Sequence, residues 1–198
     1  MDIHLRQIGH PDSGVAVNGL THDDPYFQAC WSPLLDPWTV HAVDVSARLT
    51  RSSRVRLSLD EFSEALNPEP AGFQVRARTV GRALQDAAEK GFAHVRWSSH
   101  VQVEVQLYRQ VPLVAGSDLQ RLTDPELCAH ASAVADVNRR RAAAGHPLLG
   151  LAPEVSERVR RADPAFRPPR SSPAEVASAR LGQLARSSTN PPGVPSLG

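Results

Sequence analysis

At Gly91 the hydrophobic period of this chain changes from helical to alternating, and few folds accommodate that switch within one short stretch. Upstream, Val80, Leu84, Ala87 and Ala88 form one apolar stripe at helical spacing, while Arg78, Arg82, Gln85 and Glu89 occupy the opposite face. Glycine is favoured just past a helix end, so a helix is expected from about Arg76 to Gly91. Downstream, FAHVRW and VQVEVQLY are rich in β-branched and aromatic residues, and Val101, Val103, Val105 and Leu107 alternate with polar side chains. These runs predict a β-hairpin with its tip near Ser99.

The preceding residues supply the partners such a unit needs. Trp38, Ala42, Val45 and Leu49 recur at i, i+4, i+7 and i+11, with Pro37 tolerated in the first turn after Asp36, which predicts a helix. RVRLSL, residues 54–59, alternates polar residues with Val55, Leu57 and Leu59 and reads as one short strand. Ser58 and Glu61 have capping-box spacing, so a second helix should run to about Leu66 and bury Phe62, Ala65 and Leu66. NPEPAG, residues 67–72, cannot continue that helix and predicts a turn. Helix, short strand, helix, turn, helix, hairpin is the element order of a winged helix-turn-helix. The expected fold class is therefore α+β and mainly helical, with an additional C-terminal helix and a disordered tail.

Four segments follow from this reading. Residues 1–36 mix turn formers with the short apolar run GVAV and then FQACW, and are expected as an N-terminal extension holding a short strand and a helical turn. Residues 37–115 form the winged module. Within residues 116–150, Thr123 and Glu126 begin a helix that should reach about Ala144, with Gly145 and Pro147 beyond it. Its stripe of Leu127, Ala131, Val134 and Val137 suits either a homodimer through residues 123–144 or docking on its own domain, and Arg139, Arg140 and Arg141 sit at the negative end of its dipole. Residues 151–198 are rich in Pro and Arg and are expected to be disordered, apart from a transient helix over 173–185.

The segment RARTVGRALQDAAEKGFAHVRW, residues 76–97, resembles the recognition helix and first wing strand of bacterial winged helix-turn-helix regulators of the GntR and MarR types. The matching positions are Thr79-Val80, Arg82, Ala83-Leu84, Gly91 and Phe92, and the likeness extends over roughly residues 38–114. Ala77 departs from it, standing where such helices often begin with Ser or Thr, and the NPEPAGFQV connection is longer than the usual turn. The resemblance implies double-stranded DNA as the partner. A helix fits the major groove, where arginine can make two hydrogen bonds to guanine and glutamine two to adenine. Arg78, Arg82 and Gln85 are thus candidates for base or phosphate contact, with Thr79 beside them and Arg76 near a phosphate at the helix start. In the wing, Arg96, Ser99 and His100 are candidates for backbone or minor-groove contact, and Arg51 and Arg54 for further phosphates.

Total charge lends this no support. The 198 residues carry a formal net charge of +1, and Lys90 is the only lysine, so the abundance of arginine reflects a compositional bias as readily as selection. Cys30 and Cys128 lack zinc-like spacing and read as reduced, partly buried thiols. His22-Asp23-Asp24 and the pair His10 and Asp12 lie in turn-rich sequence, where turn chemistry is the preferred reading over a metal site. No nucleophile elbow or phosphate-binding glycine loop is present, so neither catalysis nor a cofactor is expected. Trp38, Phe62, Phe92 and Trp97 are expected in the core or at its edge. No signal peptide or membrane span is read, so the expected location is the cytoplasm, on the nucleoid. The expected function is sequence-specific DNA binding by a bacterial transcriptional regulator. The alternatives are a replication, partition or excision protein of a plasmid or phage, and a winged-helix adaptor that binds protein rather than DNA.

Overall fold

The computed structural model describes residues 1–66, 77–99 and 102–166. It is a mixed α/β structure built on one four-stranded sheet in the order β2-β1-β4-β3. The strands are β1 (Asp2–Ile8), β2 (Val55–Ser58), β3 (Ala93–Ser99) and β4 (Gln102–Tyr108); the α-helices are α1 (Ser13–Asn18), α2 (Pro37–Leu49), α3 (Leu59–Ala65), α4 (Ala77–Glu89), α5 (Ser117–Arg121), α6 (Asp124–Ala143) and α7 (Pro153–Ala162).

The helix starts follow from local chemistry. Asp36 caps α2 by accepting from the Trp38 amide at 2.9 Å. Ser58 and Glu61 form the expected capping box on α3, with the Ser58 amide donating to Glu61 Oε2 at 2.7 Å and the Glu61 amide to Ser58 Oγ at 3.1 Å. The Glu61 carboxyl is held below its usual range by those bonds to Ser58. Replacing Ser58 by Ala is expected to cost about 0.5–2 kcal/mol in urea-unfolding free energy. Phe62 and Leu66 are buried as expected, but Ala65 is exposed and Ser63 takes the buried place beside Phe62. Gly91 has φ +77° just past α4 and Gly145 has φ +70° just past α6, a backbone region that glycine enters without a Cβ clash.

The N-terminal residues do more than flank the module. β1 lies inside the sheet, antiparallel to β2 (Leu5 opposite Val55) and parallel to β4 (Ile3 opposite Val103, Leu5 opposite Val105). Ile3 and Leu5 are buried and alternate with half-exposed His4 and Arg6, so one face of β1 joins the core under the helices. The GVAV run is helical in α1, and FQACW forms a single π-helical turn, Phe27–Trp31.

Phe92 joins the two halves of the core. Its ring meets Phe27 edge-on at 5.6 Å and Trp31 at 5.0 Å, and Trp31 Nε1 donates to the Pro112 carbonyl at 2.7 Å. Tyr26 reaches across to α6, where its hydroxyl accepts from the Val114 amide at 2.7 Å and lies 3.0 Å from His130 Nδ1.

The stripe Leu127, Ala131, Val134 and Val137 is buried within the chain, because α6 packs on α1, on the π-helical turn and on α7. The stripe thus docks on the chain's own core, one of the two roles expected of it. One expectation for the C-terminal third is corrected. Residues 153–162, placed in the disordered tail, form α7: Val155 and Val159 recur at i, i+4 and bury against α6, and Arg158 Nε bonds Asp124 at 2.9 Å. The helix expected over 173–185 lies outside the described residues.

Candidate nucleic-acid interface

α4 is strongly amphipathic. Val80, Ala83, Leu84 and Ala87 are buried, and Arg78, Arg82 and Gln85 are exposed on the other side. Arg78, Thr79, Arg82 and Gln85 line one wall of a cleft of about 720 Å³, whose facing wall includes Asp36, Trp38 and Thr39 from the start of α2. Thr39 Oγ1 donates to Asp86 Oδ2 at 2.9 Å and ties the walls together. Charge is graded along the helix. The N-terminal half carries the two arginines, whereas Asp86 and Glu89 follow, and Gln85 Nε2 is occupied by Glu89 at 3.2 Å. Beyond them, Lys90 is paired with Asp118 at 2.8 Å, which together with Arg121 holds the Asp118 carboxyl below its usual range.

Among the described residues, Arg78 and Arg82 differ from most other arginines in having no partner. Arg6 pairs with Glu104, Arg48 with Asp44, Arg56 with Asp2, Arg139 with Asp136 and Arg158 with Asp124. Among the described residues, Arg54, Arg78, Arg82, Arg96 and Arg109 are left with no side-chain hydrogen bond or ion pair. Arg78 and Arg82 are four residues apart and so share one helix face.

The ten residues expected at the interface do not all gather there. Arg54 belongs to a separate groove with Arg6, Arg56 and Glu104 at the β1–β2 side of the sheet. Arg51 Nη2 is engaged by both oxygens of Asp23, at 2.9 and 3.0 Å, in an exposed ion pair away from the α4 cleft lining. Arg96 stands opposite Glu104 in the hairpin, on the strand face away from Trp97, and Ser99 ends β3 in an exposed position. Arg76 and His100 lie outside the described residues. Arg109, exposed just after β4, was not among the candidates, and nothing in the sequence distinguishes its pairing state from that of other arginines.

Trp97 corrects a further expectation. It is 47% exposed rather than buried, because β3 is an edge strand and the indole lies over α4 at Gly81, near the base of the hairpin bulge between Trp97 and Ser99. A Cβ built at Gly81 would sit 3.7 Å from Trp97 Cη2, an ordinary contact. Gly81→Ala is therefore expected to raise stability by about 1 kcal/mol through helix propensity, read as an increase in melting temperature.

The remaining chemical candidates serve structure. Asp12 caps α1 by accepting from Gly14 and Val15, and His10 Nδ1 accepts from the Asp12 amide. Asp24 accepts from the Tyr26 amide in a turn. Burial pushes the Cys30 thiol up to about 12, so it is a poor nucleophile at neutral pH. Among the described residues no group of His, Cys, Asp and Glu is arranged to hold a metal ion, and no helix is long and apolar enough to cross a membrane. No protein-family model, curated protein or solved structure matches the chain.

Proposed function

We infer that the chain binds double-stranded DNA through a winged helix-turn-helix formed by residues 37–115, with the N-terminal half of α4 entering the major groove of the duplex. The order α2, β2, α3, α4, β3, β4 supports that module, and β1 is an added strand between the short strand and the hairpin. The observation that carries the reading is the pair Arg78 and Arg82, exposed on one face of α4 and without a partner among the described residues. Arginine at the start of such a helix reads guanine or grips phosphate, and either contact is sequence-local, so a net charge of +1 is no obstacle. Sequence-specific binding of this kind suits a transcriptional regulator. Fluorescence anisotropy on labelled genomic duplexes tests it: affinity should fall linearly in log–log form as salt rises, and no affinity for any duplex at low salt would exclude it.

A protein-binding adaptor is the second reading, favoured by one observation. Asp60, Glu61 and Glu64 form an exposed acidic face on α3, the helix that would cross the DNA backbone, where carboxylates repel phosphate. Under that reading the same titration gives no salt-dependent duplex binding, while variants of α3 and not α4 alter partner capture.

A further inference from the structure

α1, residues 112–116, α6 and the chain entering α7 line an open cavity of about 470 Å³. Its walls are mostly apolar, with Val15, Leu113, Val134, Leu151 and Val155 among them. Arg141 from the last turn of α6 lines the same cavity and is only 8% exposed. Its Nε donates to the Pro147 carbonyl at 2.6 Å, and its Nη1 donates to the Gly14 carbonyl and to Asn18 Oδ1, both at 3.0 Å. All three acceptors are neutral. Among the described residues no carboxylate forms an ion pair with Arg141, and its Nη2 makes no hydrogen bond.

A guanidinium cannot shed its proton, so Arg141, held by neutral acceptors at the foot of an open apolar cavity with Nη2 left unbonded, offers a fixed cationic donor to an anion entering there. The rest of the lining adds no competing cation. Burial pushes His130 down to about 4, leaving it neutral above mildly acid pH, and Asp12 is engaged as the cap of α1. One guanidinium matches one negative charge. A dianionic phosphate would leave charge uncompensated beside Asp12 and the valine and leucine walls, whereas a carboxylate on an apolar body satisfies both the arginine and the walls. We propose that this cavity binds a small apolar monocarboxylate, with the carboxylate on Arg141 Nη2 and the body against Val134, Leu151 and Val155. The site is independent of the DNA reading and stands or falls without it.

The test uses benzoate and hexanoate, with benzamide and hexanamide as neutral controls, in calorimetric titrations of the full chain. The acids should bind at millimolar concentration or tighter and the amides at least about tenfold more weakly, the difference a charge-assisted bond supplies. Ala115→Trp, at an exposed lining position, should abolish binding while the circular dichroism spectrum is kept, and Arg141→Lys should weaken it about tenfold or more. In the unaltered chain, benzoate ring protons should show nuclear Overhauser contacts to the Val134 and Val155 methyls. Equal affinity for acid and amide, no acid binding at millimolar concentration, binding that survives a folded Ala115→Trp variant, or contacts only to methyls elsewhere would each overturn the proposal.

Discussion

Replacing both Arg78 and Arg82 by alanine is expected to remove most of the duplex affinity of the chain while leaving its melting temperature unchanged. Both side chains are exposed and have no partner among the described residues, so their removal leaves the buried face of α4 intact. If each makes a bidentate base contact, each loss costs about 1–3 kcal/mol, and the double variant binds its preferred site between about thirtyfold and about twenty thousandfold more weakly. If each instead meets a phosphate, affinity falls on all sequences alike and the log–log salt slope drops by about 0.9 per arginine. Anisotropy titrations at several salt concentrations, on a preferred and a scrambled duplex, separate these cases. Arg51→Ala should have a much smaller effect, because that side chain pairs with Asp23 and is not among the residues lining the α4 cleft.

Acid should destabilise the fold well before the carboxylates titrate. His22 packs edge-on to Phe27 and near Phe92, and burial pushes its pKa down to about 4 despite the opposing pull of Asp23 and Asp44. His130 is pushed down to about 4 by burial alone. In the unfolded chain both titrate near 6.5, so between about pH 6.5 and about pH 4 the unfolded state binds more protons than the folded one. The stability that these two residues contribute is therefore complete above about pH 6.5 and is lost as the pH falls toward 4. Going from about pH 7.5 to about pH 5, the loss is on the order of 2 kcal/mol for each histidine and about 4 kcal/mol for the two. Urea midpoints measured across that range should fall accordingly, and His22→Phe should remove about half of the dependence. A flat profile would mean that the two rings are hydrated or paired in the folded state.

The elements that were legible in the sequence are those specified by neighbours in the chain. The caps at Asp36, at Ser58 with Glu61 and at Thr123 with Glu126, the glycines at 91 and 145, and the change of period after α4 are all local signals, and the helix and strand ends fall within a residue or two of them. β1 was not legible, because only Ile3 and Leu5 mark its buried face, and its place in the sheet is set by pairing with β2 and β4 far along the chain. α7 hid for a related reason: two valines in a run of charged residues suffice once α6 supplies the other half of the contact. At the candidate interface, periodicity identified which side chains of α4 face outward. It carried no information on which arginines are already paired, so Arg51 stood among the additional phosphate candidates although Asp23, 28 residues away, pairs with it. Arg141 shows the same limit, since its position at a helix end explains it by dipole alone, whereas the fold folds it inward onto three neutral acceptors.

Selection of bound sequences from a randomised duplex library, using the purified chain and its Arg78→Ala, Arg82→Ala variant side by side, bears most directly on the assignment of α4. The account predicts that the native chain enriches a short motif in a salt-sensitive manner and that the variant, equally well folded, enriches none or a relaxed one. Equal enrichment by both proteins, or retention of no duplex by the native chain at low salt, would contradict it.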